Sequence, residues 1–157
     1  MKNLIIRKAT LSDLKDIQVL NNDLFEYETK NGYDSYVKDW ALGKKSADYF
    51  TDLINNQFVI VAQEGQEAVG YLAGSIYKDN TYSYYKGLTA ELENMFLKEK
   101  YRKFGLGSKL INKFLEWCKS NNVKRVFVTA SIGNEGTINF YKKNGFNNIN
   151  LTLKKDL

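Results

Sequence analysis

Apolar and polar positions along the chain change period several times, and those changes divide it into elements. Residues 4–8 are short and apolar at their start, which predicts a first strand. Ser12 is the predicted N-cap of a helix on which Leu14, Ile17, Leu20, Asn21 and Leu24 form one stripe. Clean periodicity is lost over residues 26–45, where Tyr27, Tyr33, Tyr36 and Trp40 sit among Glu26, Glu28, Asp34 and Asp39. Residues 47–55 predict a second helix with Tyr49, Phe50 and Leu53 facing inward. Two strands, 58–63 and 68–77, are joined at Glu64-Gly65-Gln66-Glu67, a hairpin-like turn. A polar, tyrosine-rich loop over 79–86 precedes a strand over 89–97. Residues 108–121 predict a helix with Leu110, Ile111, Phe114, Leu115 and Cys118 on its apolar face. A strand over 125–131 follows, then a last helix over 137–144, ended by Gly145 where left-handed geometry favours glycine. This order predicts one α+β domain over residues 1–157, with a mixed, mostly antiparallel sheet flanked by helices.

Composition removes several function classes. Leu4-Ile5-Ile6 is too short for the apolar region of a signal peptide, and no stretch approaches the roughly 18 apolar residues of a membrane span. Cys118 is the single cysteine, so no internal disulfide forms; a reducing, cytoplasmic setting without membrane partners is expected. With no histidine, a Cys–His or Ser–His couple is impossible, and one cysteine makes no zinc site, so no metal is expected. Charge is unevenly spread. Residues 1–97 carry 10 basic and 14 acidic side chains, whereas residues 98–157 carry 13 and 4. The aromatics are not interleaved with the basic residues of one strand face, so no nucleic-acid partner is predicted.

The strongest motif lies between the strand over 89–97 and the helix after it. There Arg102-Lys103-Phe104-Gly105-Leu106-Gly107-Ser108 makes a glycine-rich turn into a helix N-terminus, whose first N–H groups lack intrahelical partners and carry the positive end of the dipole. Glycines at 105 and 107 let anion oxygens approach the backbone. After the next strand comes Asn134-Glu135-Gly136-Thr137-Ile138-Asn139-Phe140-Tyr141-Lys142-Lys143-Asn144-Gly145-Phe146.

Strand, R-x-x-G-x-G, helix, strand, then N-x-x-x-x-x-F-Y-x-x-x-G-F resembles the GCN5-related N-acetyltransferase (GNAT) superfamily, closely over residues 89–148 and loosely elsewhere. The resemblance implies a central sheet with a splayed strand pair, acetyl-CoA as co-substrate and direct transfer to an amine in a ternary complex. It assigns Met95, Phe96 and Leu97 backbone groups to the acyl and pantetheine portions, and Arg102, Lys103, Phe104, Gly105, Leu106, Gly107 and Ser108 to the pyrophosphate. Asn134 is implied as a further cofactor contact. A basic C-terminal half suits that polyanion, and an acidic N-terminal half a cationic substrate. One departure concerns the end of the chain. Family members usually close with a two-strand hairpin, whereas here Leu151-Thr152-Leu153 supplies one strand. The second is missing, very short or a neighbouring subunit's, which leaves a homodimer open.

Acetyl transfer to an alkylamine requires removal of a proton, because the ammonium form has a pKa near 10.4. Strand alternation predicts Glu91, Glu93, Met95 and Leu97 on one face, the two carboxylates about 6.5 Å apart. By resemblance, Glu91 matches the base of histone-type members and Glu93 a glutamate of bacterial small-molecule members. Glu93 is favoured as base, with Glu91 acting through water or on the substrate cation; the alternative is two solvated carboxylates. Tyr141 is the candidate acid for the departing thiolate, against a reading of Phe140-Tyr141 as a core pair. Glu26, Tyr27, Tyr33 and Trp40 are the predicted acceptor contacts, fitting a small cationic amine. Two alternatives remain at this point, a protein or peptide N-acetyltransferase and a catalytically idle acyl-CoA-binding module.

Overall fold

The computed structural model describes residues 4–31, 39–78 and 87–155. Five strands form one sheet in chain order: β1 (Leu4–Lys8), β2 (Phe58–Glu64), β3 (Glu67–Lys78), β4 (Leu88–Leu97) and β5 (Arg125–Val128). β1 to β4 pair antiparallel, whereas β4 and β5 run parallel, joined by a helical crossover as parallel neighbours require. The helices are α1 (Leu14–Lys30), α2 (Lys44–Asn56), α3 (Leu106–Ser120) and α4 (Glu135–Lys143). None of the described helices is long and apolar enough to cross a membrane.

Period-two alternation in the strands gives each sheet face its own core. Val59 and Val61 of β2 and Tyr71 and Ala73 of β3 meet Ile17 and Leu20 of α1 and Phe50, Leu53 and Ile54 of α2. On the opposite face Ile60, Leu72, Ala90 and Leu92 meet Leu106, Leu110, Ile111 and Phe114 of α3, with Tyr141 of α4. Cys118 lies buried in that second core, its thiol pushed up to about 11 by burial, which suits an inert packing residue.

Several boundaries differ from those predicted. Ser12 does not cap α1. Thr10 and Asp13 form a capping box around a 3-10 turn (Leu11–Asp13), Thr10 N donating to Asp13 Oδ2 at 2.8 Å. Asp13 also receives both terminal nitrogens of Arg7, at 2.8 and 2.7 Å, and that guanidinium holds its carboxyl below the usual range. α3 begins at Leu106, two residues earlier than predicted, because Gly105 supplies the N-cap. β5 ends at Val128 rather than 131. The predicted Leu151-Thr152-Leu153 strand is absent. Leu151 and Leu153 are 64% and 85% exposed, and an extended segment with neither ladder nor covered face has nothing to hold it as a strand.

Candidate active site

The site is built where β4 outlasts β5. Their parallel pairing stops at Leu92 opposite Val128, so Asn94 to Leu97 are paired only with β3 and the sheet forks. A β-bulge sits at the branch point: Leu92 faces Gly74 and Asn94 faces Ala73, leaving Glu93 with no partner residue. The bulge reverses the side-chain sense. Ala90, Leu92, Met95 and Leu97 all serve the α3 core, whereas Glu91 and Glu93 point to the α1–α2 side. The predicted single face for Glu91, Glu93, Met95 and Leu97 is therefore corrected, and its physical cause is the extra residue.

Backbone direction follows from one hydrogen bond. Lys98 N donates to Val69 O at 2.9 Å, so alternation commits the peptide groups of Phe96 to β3 and turns those of Met95 and Leu97 into the fork. Leu97 O accepts from Arg102 Nε at 2.7 Å. Phe96 was expected to offer backbone groups to a ligand; its peptide is instead part of the ladder, and only its ring faces the site's margin.

The turn after β4 is left-handed at two positions, Lys103 (φ +67) and Gly105 (φ +77). Nothing lies within 4 Å of a Cβ placed on Gly105, so its glycine is required by conformation alone. Gly107 has a different reason: a Cβ there would stand 2.9 Å from the Phe140 ring and 3.3 Å from Met95 Cε. Close packing of α3 on α4 and β4, rather than freedom of φ, selects it. The first helical bond runs from Lys109 N to Gly105 O at 3.1 Å, leaving the N–H groups of Leu106, Gly107 and Ser108 without acceptors in the helix. Exposed Lys103, Phe104 and Lys109 surround them. Arg102 is held to the side, its guanidinium 4.5 Å over the Tyr27 ring and 5.0 Å over Phe96.

On the α1–α2 side, the Tyr49 hydroxyl donates to Glu93 Oε2. Asn94 Nδ2 donates to the Tyr49 oxygen at 2.8 Å, and Asn21 Nδ2 reaches both Asn94 Oδ1 at 3.3 Å and the Tyr71 hydroxyl at 2.9 Å. Burial, then the charge of Glu93, pushes the Tyr49 phenol far above its ordinary value. Burial and the same charge raise the Glu91 carboxyl. None of Tyr49, Asn94, Asn21 or Tyr71 was singled out as functional from sequence. The available signal was an asparagine inside the apolar stripe of α1, since a buried amide needs partners.

The predicted acceptor contacts divide into two groups. Trp40 stands 5.8 Å from Tyr49 and 5.8 Å from Phe25, beside the Glu93 network. Glu26 and Tyr27 instead line a depression of about 390 Å³ with Asp23, Lys30, Phe96 and Arg102. Tyr33 lies outside the described residues. Tyr141 is buried between Phe140 and Phe146, at 5.5 and 5.6 Å, so the core-pair description holds for its ring. Its phenol is raised mainly by burial and also by the Glu28 carboxylate of α1. Asn134 caps α4, its side-chain oxygen accepting from Thr137 N at 3.1 Å.

A family model described as "Acetyltransferase (GNAT) family" matches residues 17–146. The chain belongs to that acetyltransferase family. A relative, an uncharacterized N-acetyltransferase of Methanocaldococcus jannaschii, is 28% identical over 155 residues, covering 93% of this chain. The chain spans 62% of that relative's length. Among solved structures, a tetramutant of the BH1408 protein of Bacillus halodurans superposes with a TM-score of 0.84 at 18% identity, covering 98% of this chain and 99% of its own. The aminoglycoside N-acetyltransferase AAC(6′)-Iy in complex with CoA gives 0.76 at 16% identity, covering 99% and 95%. At these identities the likeness is one of fold, including the mostly antiparallel sheet with its parallel β4–β5 pair.

Proposed function

We propose that this protein is an acetyl-CoA-dependent N-acetyltransferase acting on a primary amine of a small cationic acceptor. The observation that carries the reading is the fork in the sheet, which turns the Met95 peptide toward a cleft bordered by a helix N-terminus and the Glu91–Glu93 pair. The residues fit a nucleotide thioester. The N–H groups of Leu106, Gly107 and Ser108, which have no acceptor within the helix, form with Lys103 and Lys109 an anion cradle open above Gly105.

In this reading the Met95 N–H donates to the acyl carbonyl oxygen as charge develops there, and the Leu97 N–H orients the arm of the ligand. Acetyl-CoA supplies the activated acyl group. Glu93, held from one side by Tyr49, accepts a proton from the acceptor's ammonium, and Glu91 faces the same cation. Tyr141 serves as a hydrogen-bond donor to the leaving sulfur rather than as a full acid. Its raised phenol would give up a proton uphill to a thiolate whose conjugate acid lies near 8.5. Trp40 and Phe25 supply aromatic surface for the acceptor. Related proteins named for aminoglycoside acetylation support a small amine acceptor.

Two measurements test the proposal together. Saturating acetyl-CoA at about 100 times its dissociation constant should raise Tm by about 5–10 °C. Glu93→Gln should keep that shift while losing about 100-fold or more in turnover with a panel of small amines. Absence of any shift at millimolar acetyl-CoA defeats the reading.

A further inference from the structure

The hydrogen bonds behind Glu93 form one directed chain drawn from four elements. Asn21 of α1 donates to Asn94 of β4, Asn94 donates to Tyr49 of α2, and Tyr49 donates to Glu93 Oε2. A side branch runs from Asn21 to Tyr71 of β3. Every donor along the main line points toward the carboxylate. Among the described residues no hydrogen bond engages Glu93 Oε1.

We propose that Tyr49 is a positioning residue for the acetyl-transfer base, fixing Glu93 through Oε2 so that Oε1 is presented to the acceptor's ammonium. The proposal rests on the reading of Glu93 as that base. The chain is a scaffold and not a route for the proton. Two of its members are amides, which do not relay protons in this way, and its far end, Asn21, leads only to Tyr71 on the side branch, whose side chain is completely buried. The proton accepted at Oε1 therefore leaves from the cleft side.

Three further observations support a dedicated arrangement. Tyr49 is held edge-on against Phe50 at 4.9 Å and Trp40 at 5.8 Å, so its ring has little freedom. The bulge is what carries Glu93 to the α2 side of the sheet while Met95 serves the α3 core. Asn21, fully buried, leaves its Oδ1 without a partner among the described residues. A leucine would fill an apolar stripe with no orphaned acceptor, so a buried asparagine here is explained by what its Nδ2 holds. Raised by burial and by the neighbouring charge, Tyr49 remains a protonated donor through the working pH range.

The test compares wild type, Tyr49→Phe, Asn94→Leu and Glu93→Gln in turnover, in the pH profile of kcat/KM, and in melting with and without acetyl-CoA. The titratable groups that face Glu93 are Tyr49 from α2, with Tyr71 of β3 behind it, and Glu91 on its own strand. Loss of a donor to an ionised carboxylate favours its protonated form. Tyr49→Phe should therefore lower kcat by about tenfold or more and move the acid limb upward by about one pH unit. Its acetyl-CoA-induced melting shift should stay at the wild-type value. Asn94→Leu should move the limb the same way by less, and it carries the test if Tyr49→Phe does not fold. An unmoved acid limb in the folded variants overturns the proposal whatever happens to kcat. If Glu93→Gln retains full turnover, the base reading falls and this proposal with it. If Glu93→Gln is inactive while the other two keep the wild-type profile, only the positioning role falls.

Discussion

Replacing Gly105 by alanine isolates the conformational demand of the turn. Gly105 has φ +77 and ψ −1, and a Cβ would meet nothing within 4 Å. No clash contributes, so the cost is that of an L-residue in the left-handed region, about 1–2 kcal/mol. Part of it is offset by the reduced freedom of the unfolded chain, leaving about 1 kcal/mol net. Unfolding entropy of about 2.1 cal/mol/K per residue over 157 residues converts that to about 3 °C in Tm. Asparagine tolerates the left-handed region better than alanine, so Gly105→Asn should lose about half as much. Differential scanning calorimetry of the three proteins, alone and with acetyl-CoA, reads both strain and ligand binding. The ligand-induced shift should shrink in the order glycine, asparagine, alanine, because relief of strain turns the N–H groups of Leu106 to Ser108 out of line. Equal losses for alanine and asparagine would refute strain as the cause. A neutral Gly105→Ala would refute the left-handed turn itself.

Two other outcomes are expected. Asp13→Asn should lower Tm at pH 7 by about 3–6 °C, since Asp13 caps the turn before α1 and pairs with Arg7, discounted for the part-exposed guanidinium. Asp13 is depressed in the folded state, so its contribution is present above the unfolded value near 3.9 and disappears as pH falls through the folded one. Melting curves from pH 7 to 2 should therefore converge at the acid end, and a constant gap would refute the charge as the source. Arg102→Met removes a guanidinium stacked on Tyr27 and Phe96 and bonded to Leu97 O, which should cost about 3–6 °C while changing acetyl-CoA affinity by less than about threefold. Intact stability with strongly weakened binding, measured by calorimetry, would instead put that side chain on the phosphates.

Most of the fold was legible because it follows from period and from punctuation. The apolar stripes of α1, α2 and α3, the hairpin through Gly65 and the stop at Gly145 depend on neighbours in sequence. The true entry to α1 was hidden because Thr10 and Asp13 act as a pair, and Asp13 also answers to Arg7. The anion turn was visible in its glycines, although only packing shows that Gly107 faces Phe140 rather than a ligand. The acceptor side was read least well. Tyr27 and Trp40 look alike in an aromatic, acidic stretch, yet helical geometry sends one to Arg102 and the other to Tyr49. Tyr49 itself passed for an inward apolar residue, since its hydroxyl acquires a role only when α2 is laid against β4.

The bulge at Glu93 makes β4 a strand with two phases. Residues up to Leu92 keep time with β5, and those from Asn94 onward keep time with β3 alone. Counting backward from the glycine turn therefore crosses a slip of one residue at Glu93. Exchanging Glu93 for another residue alters one functional group. Removing it would restore strict alternation with Met95 and Leu97 still on the α3 side and Asn94 and Phe96 still on the α1–α2 side, but would erase the bulge that gives the carboxylate its place. The length of this strand, as much as its composition, is thus a determinant of the site.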